Sequence, residues 1–143
     1  MQLNITTDYA IRIVLFLAKN NHVVSSKKLA DVIKVSPRYL LQISSKLRDA
    51  GVIRVTHGSN GGIALAQPPK AINLYDIIII MEGTVSAQSV SSQERNNTEE
   101  FIFLSTAYDY VDFLLAQSLQ SITIDSLLSQ SEDQWHAALL IRK

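Results

Sequence analysis

The stretch from Ser36 to Gly51 marks both ends of one helix. Serine ahead of proline is a strong start, because the hydroxyl caps an orphan backbone N–H and proline at the first helical position gives up no needed hydrogen bond. Gly51, following Asp49-Ala50, supplies the stop. Between these marks Leu40, Ile43 and Leu47 fall on one face. The opposite face carries Arg38, Gln42, Ser45 and Lys46 and has no carboxylate before Asp49. Directly afterwards come two short runs, Val52–Thr56 and Gly62–Ala66, joined through His57-Gly58-Ser59-Asn60-Gly61. The first run is rich in β-branched residues and the connector is dense in turn formers, so the pair predicts a hairpin. A capped helix with a bare basic face running straight into a glycine-rich hairpin leaves few folds open.

The flanking segments narrow them further. Upstream, Tyr9, Ala10, Ile13, Val14, Leu17 and Ala18 form one apolar stripe, predicting a helix from about Thr7 to Lys19, with Asn20-Asn21-His22 as its stop. A short helix follows, capped by Ser25 or Ser26, burying Leu29, Val32 and Ile33 and ending near Lys34-Val35. Downstream, Pro68-Pro69 breaks regular structure, and Asn73 with Asp76 three residues later resembles a capping box. The unbroken isoleucines 77–80 would suit a buried strand, but the cap, Glu82 and Gly83 favour a helix. Residues 84–98 are rich in Ser, Asn and Gln and read as a loop. A long helix is expected over about residues 100–122, with Leu104, Tyr108, Val111, Leu115, Leu119 and Ile122 recurring every three or four positions. A further short helix near Thr123–Asp125 is expected to bury Leu127 and Leu128, and the tail around Trp135 and Leu139–Ile141 to pack against something.

The formal net charge is zero, but it is divided. Residues 1–70 hold ten Lys/Arg against three acids, a balance of +7, and residues 71–143 balance at −7. Such a split suggests that one half faces a polyanion. There is no cysteine, which removes disulfides, thiolate zinc sites and cysteine-ligated iron–sulfur clusters. No segment reads as a signal peptide or a membrane span, so a cytoplasmic protein is expected. His22, His57 and His136 do not cluster in sequence, and no nucleophile, phosphate loop or metal spacing stands out, so an enzyme is not expected.

Three helices and then a hairpin is the order of a winged helix-turn-helix, whose third helix enters the major groove of double-stranded DNA. The expected fold is mainly α with a small β-hairpin wing, a DNA-binding domain over residues 1–83, a loop over 84–99, and a long helix with a tail over 100–143. Arg38 and Gln42 are the candidates for reading guanine and adenine edges. Lys28, Ser36, Tyr39, Ser45 and Lys46 are candidates for phosphate or mixed contacts, Pro37 sits at the start of that helix, and His57 and Ser59 occupy the wing tip. The competing function is a winged-helix module that docks an enzyme or another regulator on its acidic half.

The motifs Leu3-(x)4-Asp8-Tyr9-Ala10-Ile11-Arg12, Ser36-(x)2-Tyr39-Leu40-(x)6-Leu47-Arg48-x-Ala50-Gly51, Gly58-(x)2-Gly61-Gly62, Ile72-(x)3-Asp76-Ile77 and Glu82-Gly83 resemble, in order and spacing, the Rrf2 family of bacterial transcription regulators. Residues 119–128 resemble the family's segment after its long helix. The resemblance implies a homodimeric regulator, a repressor, that binds a palindromic operator. Its long helices cross through the Leu104–Ile122 stripe, which assigns dimerisation to the helix and tail over 100–143, and base contacts lie near Arg38 and Gln42. Many members carry arginine at the position of His57, and one relative uses glutamate at the position of Leu41. Cluster-binding members place three cysteines within residues 84–103, where this chain has Ser86, Ser89, Ser91 and Ser92. No cofactor is therefore expected, and Asp8, which matches a cluster ligand in some members, reads as a helix-start acid.

Overall fold

The computed structural model describes residues 2–86, 98–129 and Leu139. The expected packing of the Trp135 tail and most of the 84–98 loop lie outside the described residues. Helix α1 spans Ile5–Asn20 and starts ahead of the expected Thr7 because Asn4 takes the cap, its side chain accepting from the Thr6 N–H. Helix α2, Ser26–Ile33, is capped by Ser25, and α3, Pro37–Asp49, by Ser36, whose Oγ accepts from the Tyr39 N–H at 3.1 Å. Both caps act as the sequence indicates.

Strands β1, Ile53–Thr56, and β2, Gly62–Leu65, pair antiparallel with Ile53 opposite Leu65 and Thr56 opposite Gly62. The segment before α2 adds a single bridge to β2. The Val24 N–H donates to the Ile63 carbonyl at 2.9 Å, and the Ile63 N–H to the Val24 carbonyl at 2.7 Å. This approach explains Gly62: its φ is +157°, and a Cβ there would stand 2.4 Å from the Val24 carbonyl oxygen. A 3-10 turn at Pro69–Ala71 leads to α4, Leu74–Glu82, where Asn73 Oδ1 accepts from the Asp76 N–H at 2.8 Å. The isoleucine run is therefore helical. Helix α5 covers Glu99–Gln120 and α6 covers Ile124–Ser129. Among the described residues, no helix is long and apolar enough to cross a membrane.

The core is built around α1, whose Ala10, Ile13, Val14 and Leu17 are fully enclosed. It packs against α2, α3, α4, α6 and β2. Leu40, Ile43 and Leu47 of α3, Ile63 of β2 and Ile77 of α4 meet it from different sides. After α5 the chain returns to this core. The Leu74 N–H donates to the Ile122 carbonyl at 2.9 Å, and the Ile124 N–H to the Ile72 carbonyl at 2.8 Å. Ile124 is the buried side chain of α6. Leu127 is only partly buried and Leu128 is 41% exposed, against the expectation that these two would be the anchors.

One expectation for α2 also fails: Val32 is 45% exposed. At 100° per residue the buried arc is set by Leu29 and Ala30, and Ile33 falls between them while Val32 points away. Ala30, which is not among the residues expected on the buried face, is 2% exposed and faces the core.

Ile13→Ala should therefore cost about 2–5 kcal/mol of stability, the usual penalty for emptying an enclosed aliphatic site. Val32→Ser should stay within about 0.5 kcal/mol. Urea unfolding of the two variants beside the parent checks both.

Candidate nucleic-acid interface

Helix α3 turns Leu40, Ile43, Ser44 and Leu47 inward, so its other face is left to solvent. Arg38, Gln42 and Lys46 are exposed there at intervals of about one turn, and Leu41 beside them is 58% exposed. Lys28, in the first turn of α2, is exposed as well. Among the described residues Lys28, Arg38 and Lys46 form no ion pair, so turning them toward phosphate breaks no existing partnership. Ser45 is half-buried and its hydroxyl donates to the Leu41 carbonyl at 2.8 Å. The Ser36 hydroxyl accepts from Tyr39 N–H as the cap and keeps its own proton to donate outward.

Tyr39 is held within the protein. Its hydroxyl shares a hydrogen bond with Thr6 Oγ1, and its ring stands edge-on to Tyr9 with centroids 5.9 Å apart. Its phenol fixes the first turn of α3 against α1, a positioning role that the sequence pattern alone does not reveal. Pro37 occupies the first turn of the same helix.

The wing tip is tight. The Gly61 N–H donates to the Gly58 carbonyl at 3.0 Å, and a Cβ on Gly61 would stand 2.1 Å from the Thr56 carbonyl oxygen. His57 and Ser59 are exposed on this tip. A cavity of about 410 Å³ separates the hairpin from α3 and the start of α2. It brings Ser45, His57 and Ser59 together, whereas Arg38, Gln42, Lys46 and Lys28 are not part of its lining. It also gathers Ser44, Arg48 and Thr56, which sequence reasoning passed over as contacts. The available signal was Ser44, a hydroxyl in the middle of an inward apolar stripe.

Helix α5 divides the predicted pairing stripe. Leu104, Tyr108 and Val111 are exposed, Leu115 and Ile122 are half-buried, and Leu119 is only 8% exposed, covered by its own chain. Leu119 thus serves the intrachain core. Phe101 extends the Leu104–Tyr108 side by one turn, whereas Phe103, Tyr110, Phe113 and Leu114 are exposed on another side of the same helix. A search for one periodic stripe misses these four, because they form a second face of their own. Ahead of α5, the Ser86 hydroxyl donates to Asp112 Oδ2 at 2.9 Å. Asp8 pairs with Arg12 Nε at 2.6 Å on the surface of α1.

A protein-family model described as "Rrf2: Iron-dependent Transcriptional regulator" matches residues 3–130. The HTH-type transcriptional regulator NsrR of Shouchella clausii is 35% identical over 98 residues, covering 67% of this chain and 66% of the relative. The HTH-type transcriptional regulator CymR of Bacillus subtilis is 31% identical over 140 residues, covering 96% of each. Among solved structures, CymR, described as the global cysteine regulator of B. subtilis, superposes with a TM-score of 0.73 at 29% identity, covering 92% of this chain and 99% of that one. T. potens IscR superposes with a TM-score of 0.72 at 25% identity, covering 94% and 90%.

The iron dependence in the family description meets a donor set that does not fit a cysteine-ligated cluster. The chain has no thiolate to offer, and among the described residues no three His, Cys, Asp or Glu side chains converge as metal ligands. The likeness is otherwise continuous, running from α1 through the hairpin to α6. The chain belongs to the Rrf2 family and is a DNA-binding transcription regulator of winged helix-turn-helix fold rather than an enzyme.

Proposed function

We propose that this chain acts in the cytoplasm as a homodimeric repressor, gripping a palindromic operator without an iron–sulfur cluster. The observation that carries the reading is α5, a 22-residue helix with large apolar side chains open to solvent on nearly every side. A helix apolar all round belongs inside a protein interface or core. Among the described residues of this helix, Leu119 near its C-terminal end is the buried one. A second copy meeting it about a two-fold axis puts the same residues on both sides and closes the surface. Residues 1–83 then read DNA, 84–99 link the two functions, and 100–143 pair the protomers while returning Ile124 to the core.

The two-fold sets two α3 helices about 34 Å apart, one turn of DNA, so the operator repeats in inverted halves. Arg38 at the N-terminal end of α3 presents a fork suited to guanine O6 and N7, and Gln42 one turn on presents an amide suited to adenine. Exposed Leu41 between them offers an apolar contact for a thymine methyl. Lys28 and Lys46 supply phosphate contacts at the flanks. The wing tip carries His57 where an arginine would insert further and bind the narrow minor groove more strongly.

Three outcomes follow. Arg38→Ala should lose about 1–3 kcal/mol on the operator and relax preference at one base pair per half-site, with binding to random duplex little changed. Competition assays with single-base operator variants measure this, and uniform weakening across all sequences would reduce Arg38 to a phosphate contact. His57→Arg should tighten binding and steepen the slope of log K against log salt by about one per wing. The pair Leu104→Glu and Val111→Glu, both on open surface, should leave helicity intact and yield monomers by light scattering. A parent protein that is itself monomeric would overturn the pairing.

A further inference from the structure

The cavity between hairpin and reading helix has a chemistry of its own. Its ionisable and hydroxyl lining is Ser25, Ser26, Ser44, Ser45, Arg48 and His57 with Thr56 and Ser59, and it contains no carboxylate. It is a space lined by groups that can donate, which suits an anion. Helix α2 starts on it: the Ser25 cap takes the Lys28 N–H, and the Ser26 N–H ahead of it lacks an intrahelical acceptor at the positive end of the dipole.

An independent observation points the same way. Ser44 is 3% exposed, and its Oγ has no hydrogen-bond partner among the described residues. Its neighbour Ser45 satisfies its hydroxyl on the Leu41 carbonyl, the ordinary solution for serine inside a helix. A buried hydroxyl left without a partner costs about 1–3 kcal/mol. Arg48 reaches Asp49 only at 3.3 Å on open surface, a weak pair that yields readily to a stronger anion.

Geometry supplies the occupant. With α3 in a major groove and the hairpin tip in the adjoining minor groove, the sugar–phosphate strand dividing the two grooves must pass between helix and hairpin. That is where this cavity lies. We propose that it is a phosphate seat for one backbone phosphodiester in each operator half-site. The Ser26 N–H at the start of α2 and the Arg48 guanidinium are its donors, and Ser44 lines it from α3. A seated phosphate oxygen, or the one water bridging to it, completes the Ser44 hydrogen bond. The inference rests on the DNA-binding reading and adds to it residues outside the Arg38/Gln42 face.

The test uses the full chain and an operator duplex obtained by selection from random sequence, with single phosphates replaced by neutral methylphosphonates. Wild type should lose affinity at one position per half-site facing the cavity. Ser44→Ala should bind the unmodified duplex roughly 5-fold more weakly, the worth of one hydrogen bond. It should lose markedly less than wild type at that one phosphate, while every other position stays as harmful as before. Arg48→Gln should show the same partial silence and lower the salt slope by about one. Alanine is the better helix former, so Ser44→Ala should not lower the melting temperature.

Wild-type affinity in Ser44→Ala, or a loss that adds independently at every phosphate, overturns the seat. So does inorganic phosphate raising the melting temperature of wild type but not of Ser44→Ala while both bind DNA equally, since the occupant is then a small free anion. Failure of wild type to bind any duplex sinks the DNA-binding reading itself. Wild-type binding with an indifferent Ser44→Ala sinks the seat alone.

Discussion

The enclosed stripe of α1 is the constraint on which everything else rests. Ala10, Ile13, Val14 and Leu17 have almost no solvent contact, so each neighbouring element is placed by the side chains it fits against them. Protein interiors pack as densely as organic crystals, and a helix seated on such a stripe has little freedom to rotate. With Leu40, Ile43 and Leu47 pressed into this core, the polar face of α3 has one direction left to point. The aim of Arg38 and Gln42 is therefore a consequence of apolar packing behind them.

Polar contacts at the start of α1 refine that placement. Thr6 bonds the Tyr39 hydroxyl at the head of α3, and its neighbour Thr7 donates to Glu82 Oε1 at 2.9 Å. The same carboxylate oxygen accepts the Asn4 N–H at 2.6 Å. Two adjacent threonines thus tie α3 and the last turn of α4 to one helix end. These few hydrogen bonds, as well as the core, therefore fix α3 and the end of α4 relative to each other through α1. Thr7 is fully buried, and a buried hydroxyl satisfied in this way costs little, whereas one deprived of its partner costs more.

Charge and apolarity are divided in complementary fashion. The basic half supplies the open face of α3, the first turn of α2 and the hairpin, and the acidic half supplies α5. Repulsion between phosphate and the acidic half favours docking through the other side. The absence of cysteine removes the ligands of a cysteine-held cluster while leaving the packing that defines the fold untouched.

Local chemistry was legible in the residues themselves. The Ser25, Ser36 and Asn73 caps and the helical fate of the isoleucine run depend on partners a few positions away, and the hairpin on pairs such as Ile53 and Leu65 within the same short stretch, so their signals are local. The charge split and the basic face of α3 were legible for the same reason. Burial was a different matter, because it is granted by elements distant in sequence. Ala30 rather than Val32 faces inward, Ile124 rather than Leu128 anchors α6, Leu119 turns to its own chain, and Tyr39 spends its hydroxyl on Thr6. Ser44 shows the contrast best: the sequence places a hydroxyl on an inward stripe, and only the approach of hairpin and α2 decides whether that hydroxyl meets a partner or an empty cavity. Residue order fixes which faces a helix has, and the three-dimensional packing fixes which of them find something to touch.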